Sequence, residues 1–368
     1  MSIRMDFCDV FDDVTKEGRK LLTSEYLDNG LHPIFDQGQN EIAGYTNETE
    51  GLFTNTPVIL FGDHTRVVKY VDTPCFLGAD GVKLLKPKIQ NVNAKYLFYA
   101  VRSVQIPNTG YNRHFKWLKE ATILIPAKEE QDKIVAILDE TNHLISLRKK
   151  QLQKLDDLVK ARFVEMFGDP EENPFRWEKH PLSEIIVNAN NGMARRGNDP
   201  DGNIVMRLVE LQDGYIDYSS PNRIILTDTE KNRFLLFEKD FLFARVNGNP
   251  ENVGRCAVFH DIGEPVYHND HIIRVHFDDR VLDGTFASAL INSAYGKRQM
   301  KSQIKTSAGQ YTISQDGIGA IIAIVPPIGL QQQFAAFVSQ VDKSKLSIQQ
   351  GLEKLETLKK TLMQQYFG

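Results

Sequence analysis

The chain has 368 residues, of which 41% are hydrophobic and 25% are charged, and its formal net charge at pH 7 is −4. This composition is typical of a folded protein of two or three domains. It excludes a mainly disordered chain and a strongly basic protein that coats nucleic acid without sequence preference. The three cysteines lie far apart, so neither a disulfide framework nor a cysteine-rich zinc site is expected. No apolar run reaches the roughly 18 residues of a membrane span, and the acidic N-terminus lacks the apolar core of a signal peptide. The expected compartment is therefore the cytoplasm.

Four segments follow one another along the chain, and we place their boundaries at 1–122, 123–168, 169–322 and 323–368. The first and third contain short runs of β-branched and aromatic residues broken by Gly, Pro, Asn and Asp, which predict strands and hairpins. Short helical patterns follow, around 96–104 and 285–293. We expect both segments to be mixed α/β (α+β) domains whose β cores are built from long-range strand pairs.

The second and fourth segments are related by an internal repeat. At an offset of 200 residues they align without a gap over 46 positions, of which ten are identical. The identical pairs include Pro126 with Pro326, Gln131 with Gln331, and the closing Phe-Gly. A weaker strand–turn–strand similarity links the globular segments, from Val67 and from Cys256. The chain is therefore predicted to be a pseudo-twofold repeat of a globular domain followed by a long helix.

Both helical segments carry an apolar seam in which steps of four and three residues alternate, as in a coiled coil. The predicted seam residues are Ile134, Leu138, Ile145, Leu152, Leu155, Val159, Phe334, Val338, Val341, Ile348, Leu352, Leu355 and Leu362. Polar residues also occupy seam positions and could set the register or face a partner: Arg148, Arg162, Lys345 and Lys359.

Neither seam can be buried within its own segment, so we expect the helices to pack against each other as a long antiparallel two-helix coiled coil. A parallel pair would need a long return path between the helices. At about 1.5 Å per residue, some 40 residues make a rod of roughly 60 Å, with the two globular domains at opposite ends.

The pattern resembles the specificity subunit of type I restriction-modification systems over essentially the whole chain. The junction of an apolar run, Pro, a short gap, Gln and an amphipathic helix occurs twice, at 125–131 and 325–331. The sequence at Trp177 is similar to the family's usual domain opening. Those from Phe243 and Ser307 are similar to its mid-domain hairpin and its lead-in to the second helix.

Two features depart from the family pattern. The first domain starts at Phe7 without the Trp-containing opening. The second helix begins Gly329-Leu330-Gln331, where the family more often has Glu-Gln. The residue-level roles of the variable domains do not transfer from the family.

The resemblance implies a non-catalytic subunit that gives a DNA adenine methyltransferase and restriction complex its specificity. Each target-recognition domain would read one half of a bipartite asymmetric site in double-stranded DNA. The helices would fix the spacer and dock two modification (methyltransferase) subunits. Those would bring S-adenosylmethionine, and restriction (translocase–nuclease) subunits would bring ATP and Mg²⁺. No cofactor in this chain and no membrane partner are expected.

If the chain binds DNA, its contacts should come from basic stretches and polar loops, since Lys and Arg hold phosphates while Asn, Gln and Arg reach base edges. Two basic stretches without acids precede the helical segments, at 108–119 and 292–315. The candidates are Gln37, Gln39, Asn40, Arg66, Tyr111, Asn112, Arg113, Lys116, Arg195, Arg196, Arg245, Asn247, Asn249, Lys297, Arg298, Lys301, Lys305, Gln310 and Tyr311. Solvated loops and ordinary turn chemistry remain open as the alternative for each loop.

No catalytic pattern is recognisable. Gly296-Lys297 lacks the rest of a P-loop, and Pro200-Asp201 is not followed by a nuclease-type acidic-x-Lys motif. The histidines around His268 alternate between strand faces, so no metal site is predicted. The alternative from another class is a coiled-coil scaffold or adaptor whose globular ends bind proteins rather than DNA. It would show no sequence-dependent DNA affinity. An enzyme with an unrecognised site is a weaker alternative.

Overall fold

The computed structural model describes residues 2–78, 81–110, 112–307 and 309–368. The chain divides into two compact units, which we call unit 1 (Met1–Lys150 with Gln349–Gly368) and unit 2 (Gln151–Ile348). Both boundaries between the units fall inside the long helices. Each unit therefore combines one globular part with a portion of both helices.

Unit 1 is built around a four-stranded sheet of order β2-β8-β5-β6. It also contains a three-stranded sheet of order β4-β3-β7. Its strands are β1 (Ile3–Asp6), β2 (Phe11–Asp13), β3 (His32–Phe35), β4 (Gly44–Thr46), β5 (Val58–Gly62), β6 (Val68–Val71), β7 (Phe76–Leu77), β8 (Val82–Pro87) and β9 (Thr122–Ile125). Its helices are α1 (Phe7–Val10), α2 (Ala94–Ser103), α3 (Phe115–Lys119) and the first part of α4 (Lys128–Phe167).

Unit 2 contains a four-stranded sheet of order β11-β18-β14-β16 and three-stranded sheets of order β13-β12-β17 and β15-β20-β19. Its strands are β10 (Glu178–Pro181), β11 (Ile186–Asn191), β12 (Asn203–Met206), β13 (Arg223–Ile224), β14 (Phe241–Ala244), β15 (Val246–Asn247), β16 (Cys256–Val258), β17 (Val266–His268), β18 (Ile272–Phe277), β19 (Lys305–Ser307), β20 (Gln310–Thr312) and β21 (Ile322–Val325). Its helices are α5 (Asp228–Phe234), α6 (Gly284–Asn292), α7 (Ala294–Gln303), α8 (Gln315–Gly319) and the first part of α9 (Ile328–Phe367).

The two units share one topology. The strand orders β2-β8-β5-β6 and β11-β18-β14-β16 correspond strand for strand. In the smaller sheet, β3 pairs antiparallel with β4 and parallel with β7, and β12 pairs in the same way with β13 and β17. The weak sequence similarity from Val67 and from Cys256 covers β6–β8 and β16–β18, which occupy equivalent places. The mixed α+β class and the internal repeat are confirmed.

The central strands are apolar because both faces of each four-stranded sheet are covered. In unit 1, Ile59 and Phe61 of β5 pack with α2, while the opposite face joins a second cluster with Phe35 and Leu77. In unit 2, Phe241 and the neighbouring inward residues of β14 pack with α6 in the same manner. The short helical patterns predicted near 96–104 and 285–293 correspond to α2 and α6.

A two-stranded antiparallel sheet leads into each long helix. β1 pairs with β9 in unit 1, and β10 pairs with β21 in unit 2. The residues before each junction proline are therefore strands, and the helices begin at Lys128 and Ile328.

The repeated glutamine has the same structural role in both junctions. Gln131 accepts a hydrogen bond through Oε1 from the backbone N–H of Asn93, the N-cap of α2, at 2.8 Å, and donates through Nε2 to the Pro126 carbonyl at 2.8 Å. Gln331 accepts from the N–H of Asp283, the N-cap of α6, at 2.9 Å and donates to the Pro326 carbonyl at 2.7 Å. Both side chains are buried. Each junction is therefore tied to the start of a helix in its own unit, α2 in unit 1 and α6 in unit 2.

The helices run antiparallel within each unit. In unit 2, Lys345 Nζ lies 2.6 Å from Asp156 Oδ1, and seven residues further along α4 the ring of Phe163 lies 5.6 Å from that of Phe334. Residue numbers therefore rise along one helix as they fall along the other. In unit 1, the start of α4 packs in one cluster with the end of α9.

The seam predicted from the heptad pattern is the buried side of both helices. Ile134, Leu138, Ile145, Phe334, Val341 and Leu352 are buried, and Leu152, Leu155, Val159, Val338, Ile348, Leu355 and Leu362 are half-buried. Two of the polar seam residues contact the other helix. Lys345 pairs with Asp156, and the Arg162 guanidinium lies 5.8 Å from the ring centre of Phe337. Burial lowers the pKa of Lys359.

Candidate nucleic-acid interface

Three loops of unit 1 that are distant in sequence meet at the turn between β5 and β6. The backbone N–H of His64 donates to Oε1 of Gln37 at 3.2 Å, and the Thr65 hydroxyl donates to the Gln37 carbonyl at 2.7 Å. Arg66 donates to the Ile106 carbonyl at 3.4 Å. We call these segments, 36–43, 63–67 and the described part of 104–114, loop cluster 1.

Asp63, at the start of the β5–β6 turn, fixes the last of these loops. Its carbonyl accepts from the N–H of His114 at 2.8 Å, and its carboxylate accepts from the N–H of Phe115 at 2.7 Å. Its own N–H donates to the Gly81 carbonyl at 2.6 Å. Because Asp63 and His114 are both buried, the segment that carries Asn112 and Arg113 has a fixed anchor.

Most of the DNA-contacting residues predicted for unit 1 belong to loop cluster 1. Gln37 and Arg66 are half-buried, and Gln39, Asn40, Asn112 and Arg113 are exposed. Lys116 lies just beyond the cluster on α3, with Nζ 4.2 Å from the centre of the Trp117 ring. Tyr111 lies outside the described residues. Arg66 occupies the left-handed backbone region, with φ of 61°, as a tight turn requires.

In unit 2 a corresponding set of residues meets on the small sheet β15-β20-β19. Asn247 pairs with Tyr311, and Lys305 pairs with Thr312, which places Gln310 at the hairpin tip beside them. Asn249 follows β15 as the N-cap of a short 3₁₀ turn. In unit 2 the connection between β14 and β16 thus meets the segment before the junction. In unit 1 the connection between β5 and β6 meets the segment before the junction in the same way.

Two predicted arginines join this surface through Asp270, in the turn between β17 and β18. Arg196 Nη2 lies 2.7 Å from the Asp270 carboxylate, and Arg245 Nη1 donates to the Asp270 carbonyl at 3.1 Å. Arg195 points elsewhere, with Nε 3.1 Å from Glu230.

The remaining predicted cations lie on α7, a helix that the sequence pattern did not indicate. Each forms an ion pair with a carboxylate from another segment: Lys297 with Asp213 at 2.8 Å, Arg298 with Glu171, and Lys301 with Glu251 at 2.8 Å. A phosphate would have to compete with these carboxylates, so the basic stretch is less available to DNA than its charge suggests.

An open groove of about 610 Å³ lies at the end of β11, between that strand and α5. Gln315 donates to Asn191 Oδ1 at 3.2 Å at one side, and Arg233 and Phe234 form the other. None of these four is among the individual candidates, but Gln315 ends the predicted basic stretch 292–315, and Asn191 belongs to the polar loop that carries the predicted Arg195 and Arg196. Arg233 and Phe234 lie on α5, outside every predicted stretch and loop.

The loop 207–222 between β12 and β13 was also missed. It carries Tyr215, whose side chain is 61% exposed, and Gln212. The internal repeat could have indicated this loop, because the loop 207–222 follows β12 in the same way as the loop 36–43 follows the equivalent strand β3.

The described residues carry no group of three or more His, Cys, Asp or Glu side chains arranged to hold a metal ion. The histidines have separate partners: His260 with Glu238 at 2.8 Å, His276 with Asp240 at 3.1 Å, and His268 with the Phe234 carbonyl at 3.1 Å. Burial raises the pKa of the Cys75 thiol to about 12, and burial also raises that of Cys256.

Within the part of the chain described, no helix has an apolar stretch long enough to cross a membrane.

Comparison with known proteins gives the family context. A family model described as the type I restriction modification DNA specificity domain matches residues 5–157. The type I restriction enzyme StySPI specificity subunit of Salmonella potsdam is 26% identical over 196 residues, covering 52% of this chain and 42% of that protein. The EcoKI specificity subunit of Escherichia coli K12 is 22% identical over 250 residues, covering 65% of this chain and 54% of that protein. The chain thus spans about half the length of these curated relatives.

The fold is similar to a solved structure along its whole length. The crystal structure of a type I restriction-modification S subunit from M. genitalium superposes with a TM-score of 0.59 at 17% identity, covering 99% of this chain and 95% of that one. The matched family domain, the curated relatives and the shared fold agree with the repeated junctions. The chain is thus similar to specificity subunits of type I restriction-modification systems, and its residues 5–157 match that family's DNA specificity domain.

Proposed function

We propose that this chain recognises a bipartite, asymmetric DNA sequence, with each globular part reading one half. The observation that carries the proposal is the repetition of one topology in two units with different loops. In each unit, polar and basic side chains from the turn after β5 or β14 meet those of the segment before the junction. Amides and guanidinium groups in such loops can bond base edges, and different loops give different half-sites.

We propose further that the helices set the spacer and dock two modification subunits. Support comes from apolar side chains that face away from the seam in both units. In unit 1, Leu144 and Leu147 of α4 are 38% and 41% exposed. In unit 2, Leu158 of α4 and Leu346 of α9 are 47% and 61% exposed. Exposed apolar residues of this kind fit a protein partner better than water.

The chemistry of the complex is assigned to the other subunits. The modification subunits would supply S-adenosylmethionine chemistry on adenine, and the restriction subunits would use ATP and Mg²⁺. This chain would contribute recognition without catalysis.

Selection from a randomised DNA library tests the proposal. The chain, assembled with the modification subunits of its own system, should enrich duplexes with two short fixed half-sites separated by a constant gap. Modification subunits alone are the control and should enrich none. Enrichment of no sequence by the assembled complex would contradict the proposal.

The scaffold alternative has one specific observation in its favour: the ion pairs that occupy the α7 cations. If the globular parts bind proteins, the assembled complex will bind all duplexes equally, and partners will be retained on variants that lack the exposed loop residues. The same library experiment therefore separates the two functions.

A further inference from the structure

A buried cation in unit 1 holds one of the loops that we propose to contact bases. Lys69 lies on β6, and only 3% of its surface is exposed to solvent. Its Nζ donates to the Asn40 carbonyl at 2.5 Å and lies 3.5 Å from the Asp36 carboxylate. Both partners belong to the loop 36–43. Burial lowers the pKa of Lys69, an effect that Asp36 and Glu41 of the same loop oppose.

Unit 2 contains the same device built from different residues. Arg255, immediately before β16, donates to Gln212 Oε1 at 3.0 Å, and its Nε lies 3.3 Å from the Asp213 carboxylate. Both partners belong to the loop 207–222. Arg255 also donates to Asn252 at 2.8 Å, which fixes the guanidinium from its own side of the turn.

The two arrangements are topologically equivalent. β6 and β16 are the edge strands of the corresponding four-stranded sheets. The loops that they hold follow β3 and β12, the central strands of the corresponding three-stranded sheets. In each unit, a cation on the edge strand or just before it reaches across to an acidic residue and to a second acceptor in that loop. The same two elements are thus joined in both units, by a lysine within the edge strand in unit 1 and by an arginine just before it in unit 2.

Stability alone is a weak explanation for either cation. Arg255 and Asp213 are partly exposed, and an exposed ion pair contributes little to stability. Lys69 is buried. A buried ion pair costs desolvation that its attraction only partly offsets, and well-packed apolar replacements are often neutral or stabilising. Buried ionic contacts are better suited to fixing one geometry among several. In both loops, residues close to the one that pairs with the cation are exposed and can form hydrogen bonds: Gln39 and Asn40 in unit 1, and Tyr215 in unit 2.

We propose that Lys69 and Arg255 are positioning residues for DNA specificity, each holding the base-reading loop of its own unit in the conformation that discriminates bases. The inference rests on the proposed function and refines it. It also adds the loop 207–222 to the DNA-contacting surface of unit 2.

The test uses each variant as the control for the other. The full chain carrying Lys69→Met or Arg255→Met is assembled with the modification subunits, and base preference is measured at every position of both half-sites. Lys69→Met should lower discrimination about tenfold at one or more positions of a single half-site. That is the size expected when a well-oriented base contact is lost. Arg255→Met should do so at the other half-site only.

Matched variants separate positioning from general loss of an ion pair. Lys83→Met removes the 3.0 Å pair with Asp13 in unit 1, away from the loop, and should leave both half-sites unchanged. Lys69→Arg retains the cation and should restore most of the discrimination. If Lys69→Met does not fold, Asp36→Asn replaces it, because it removes the charge but keeps an acceptor for the N–H of Gly38. About threefold loss at the same half-site is then expected.

The outcomes distinguish this inference from the function on which it rests. A wild-type complex without sequence preference would overturn the proposed function. Sharp wild-type preference that both methionine variants retain would overturn the positioning role alone. Equal loss at both half-sites in either variant would also overturn it, since that pattern indicates general destabilisation.

Discussion

At the scale of single residues, the junction glutamines show how one side chain can join two elements. Gln331 satisfies the N–H of Asp283 and also donates to the carbonyls of Pro326 and Val281, at 2.7 and 3.0 Å. All of this takes place at 0% exposure, where water cannot replace the lost partners. A buried donor or acceptor left without a partner costs about 1–3 kcal/mol.

Gln331→Ala should therefore lower the free energy of unfolding by about 2–4 kcal/mol. Urea unfolding followed by circular dichroism measures the change. Gln153→Ala is the control, because Gln153 is exposed and donates to Asp157 on its own helix at 3.1 Å. That change should stay within about 0.5 kcal/mol. Equal effects of the two substitutions would contradict the proposal that Gln331 stabilises the junction through its buried hydrogen bonds.

His268 predicts a pH dependence of stability in unit 2. Burial, with a smaller contribution from the Arg274 charge, lowers the pKa of His268 to about 4. The unfolded chain, with a histidine pKa near 6.5, binds the proton more readily, so acidification favours unfolding. The stability contributed by the neutral imidazole is complete above pH 6.5 and is lost as the pH falls towards 4. At about 1.4 kcal/mol per pKa unit, the loss is about 3 kcal/mol.

Urea unfolding of the wild type and of His268→Gln between pH 7 and pH 4 measures this effect. The wild type should lose about 3 kcal/mol more than the variant over that range. Parallel pH profiles would show that His268 protonates as easily in the folded protein as in the unfolded one.

At the scale of elements, an aromatic cluster ties the helix pair to the core of unit 2. Phe334 of α9 lies 5.6 Å from the rings of Phe163 and Phe167 on α4. Those rings in turn contact Phe286 of α6, at 5.5 and 4.7 Å. The seam therefore continues into the globular core instead of ending at its surface.

Phe334→Ala should destabilise unit 2 by about 3–5 kcal/mol, because it leaves a cavity among rings that cannot collapse freely. Leu346→Ala, on the same helix but 61% exposed, is the control and should change stability by about 0.5 kcal/mol or less. Thermal unfolding of both variants compares them. A small effect at Phe334 would mean that the helices are held mainly by other parts of the seam.

The elements also show which features a sequence can predict. The seam could be predicted because its period is written along each helix, and β5 because it is a continuous apolar run, Val58–Gly62. The pairing of Lys345 with Asp156 could not, because the register between two helices is a tertiary property. α7 was missed because its ten residues carry few apolar side chains. The meeting of Gln37 with His64 likewise depends on strand order, which no local pattern encodes.

At the scale of the whole molecule, the charge distribution predicts weak DNA binding by the chain alone. Its net charge is −4, and several predicted phosphate contacts are already paired with carboxylates. Phosphate neutralisation supplies much of the affinity of DNA-binding proteins, so with the proposed function we expect partner subunits to supply most of it. At physiological salt, fluorescence anisotropy should show at least about 100-fold weaker binding of the target duplex by the isolated chain than by the complex. Equal affinities would show that the chain provides its own phosphate contacts.

The most direct test of the central claim is a genome-wide map of methylated adenines in cells that express the modification subunits of this system. The map is made with and without this chain. We expect one bipartite, asymmetric motif to be methylated only when the chain is present, and its two halves to be separated by a constant gap. An unchanged map, with all subunits expressed, would contradict the assignment of sequence recognition to this chain.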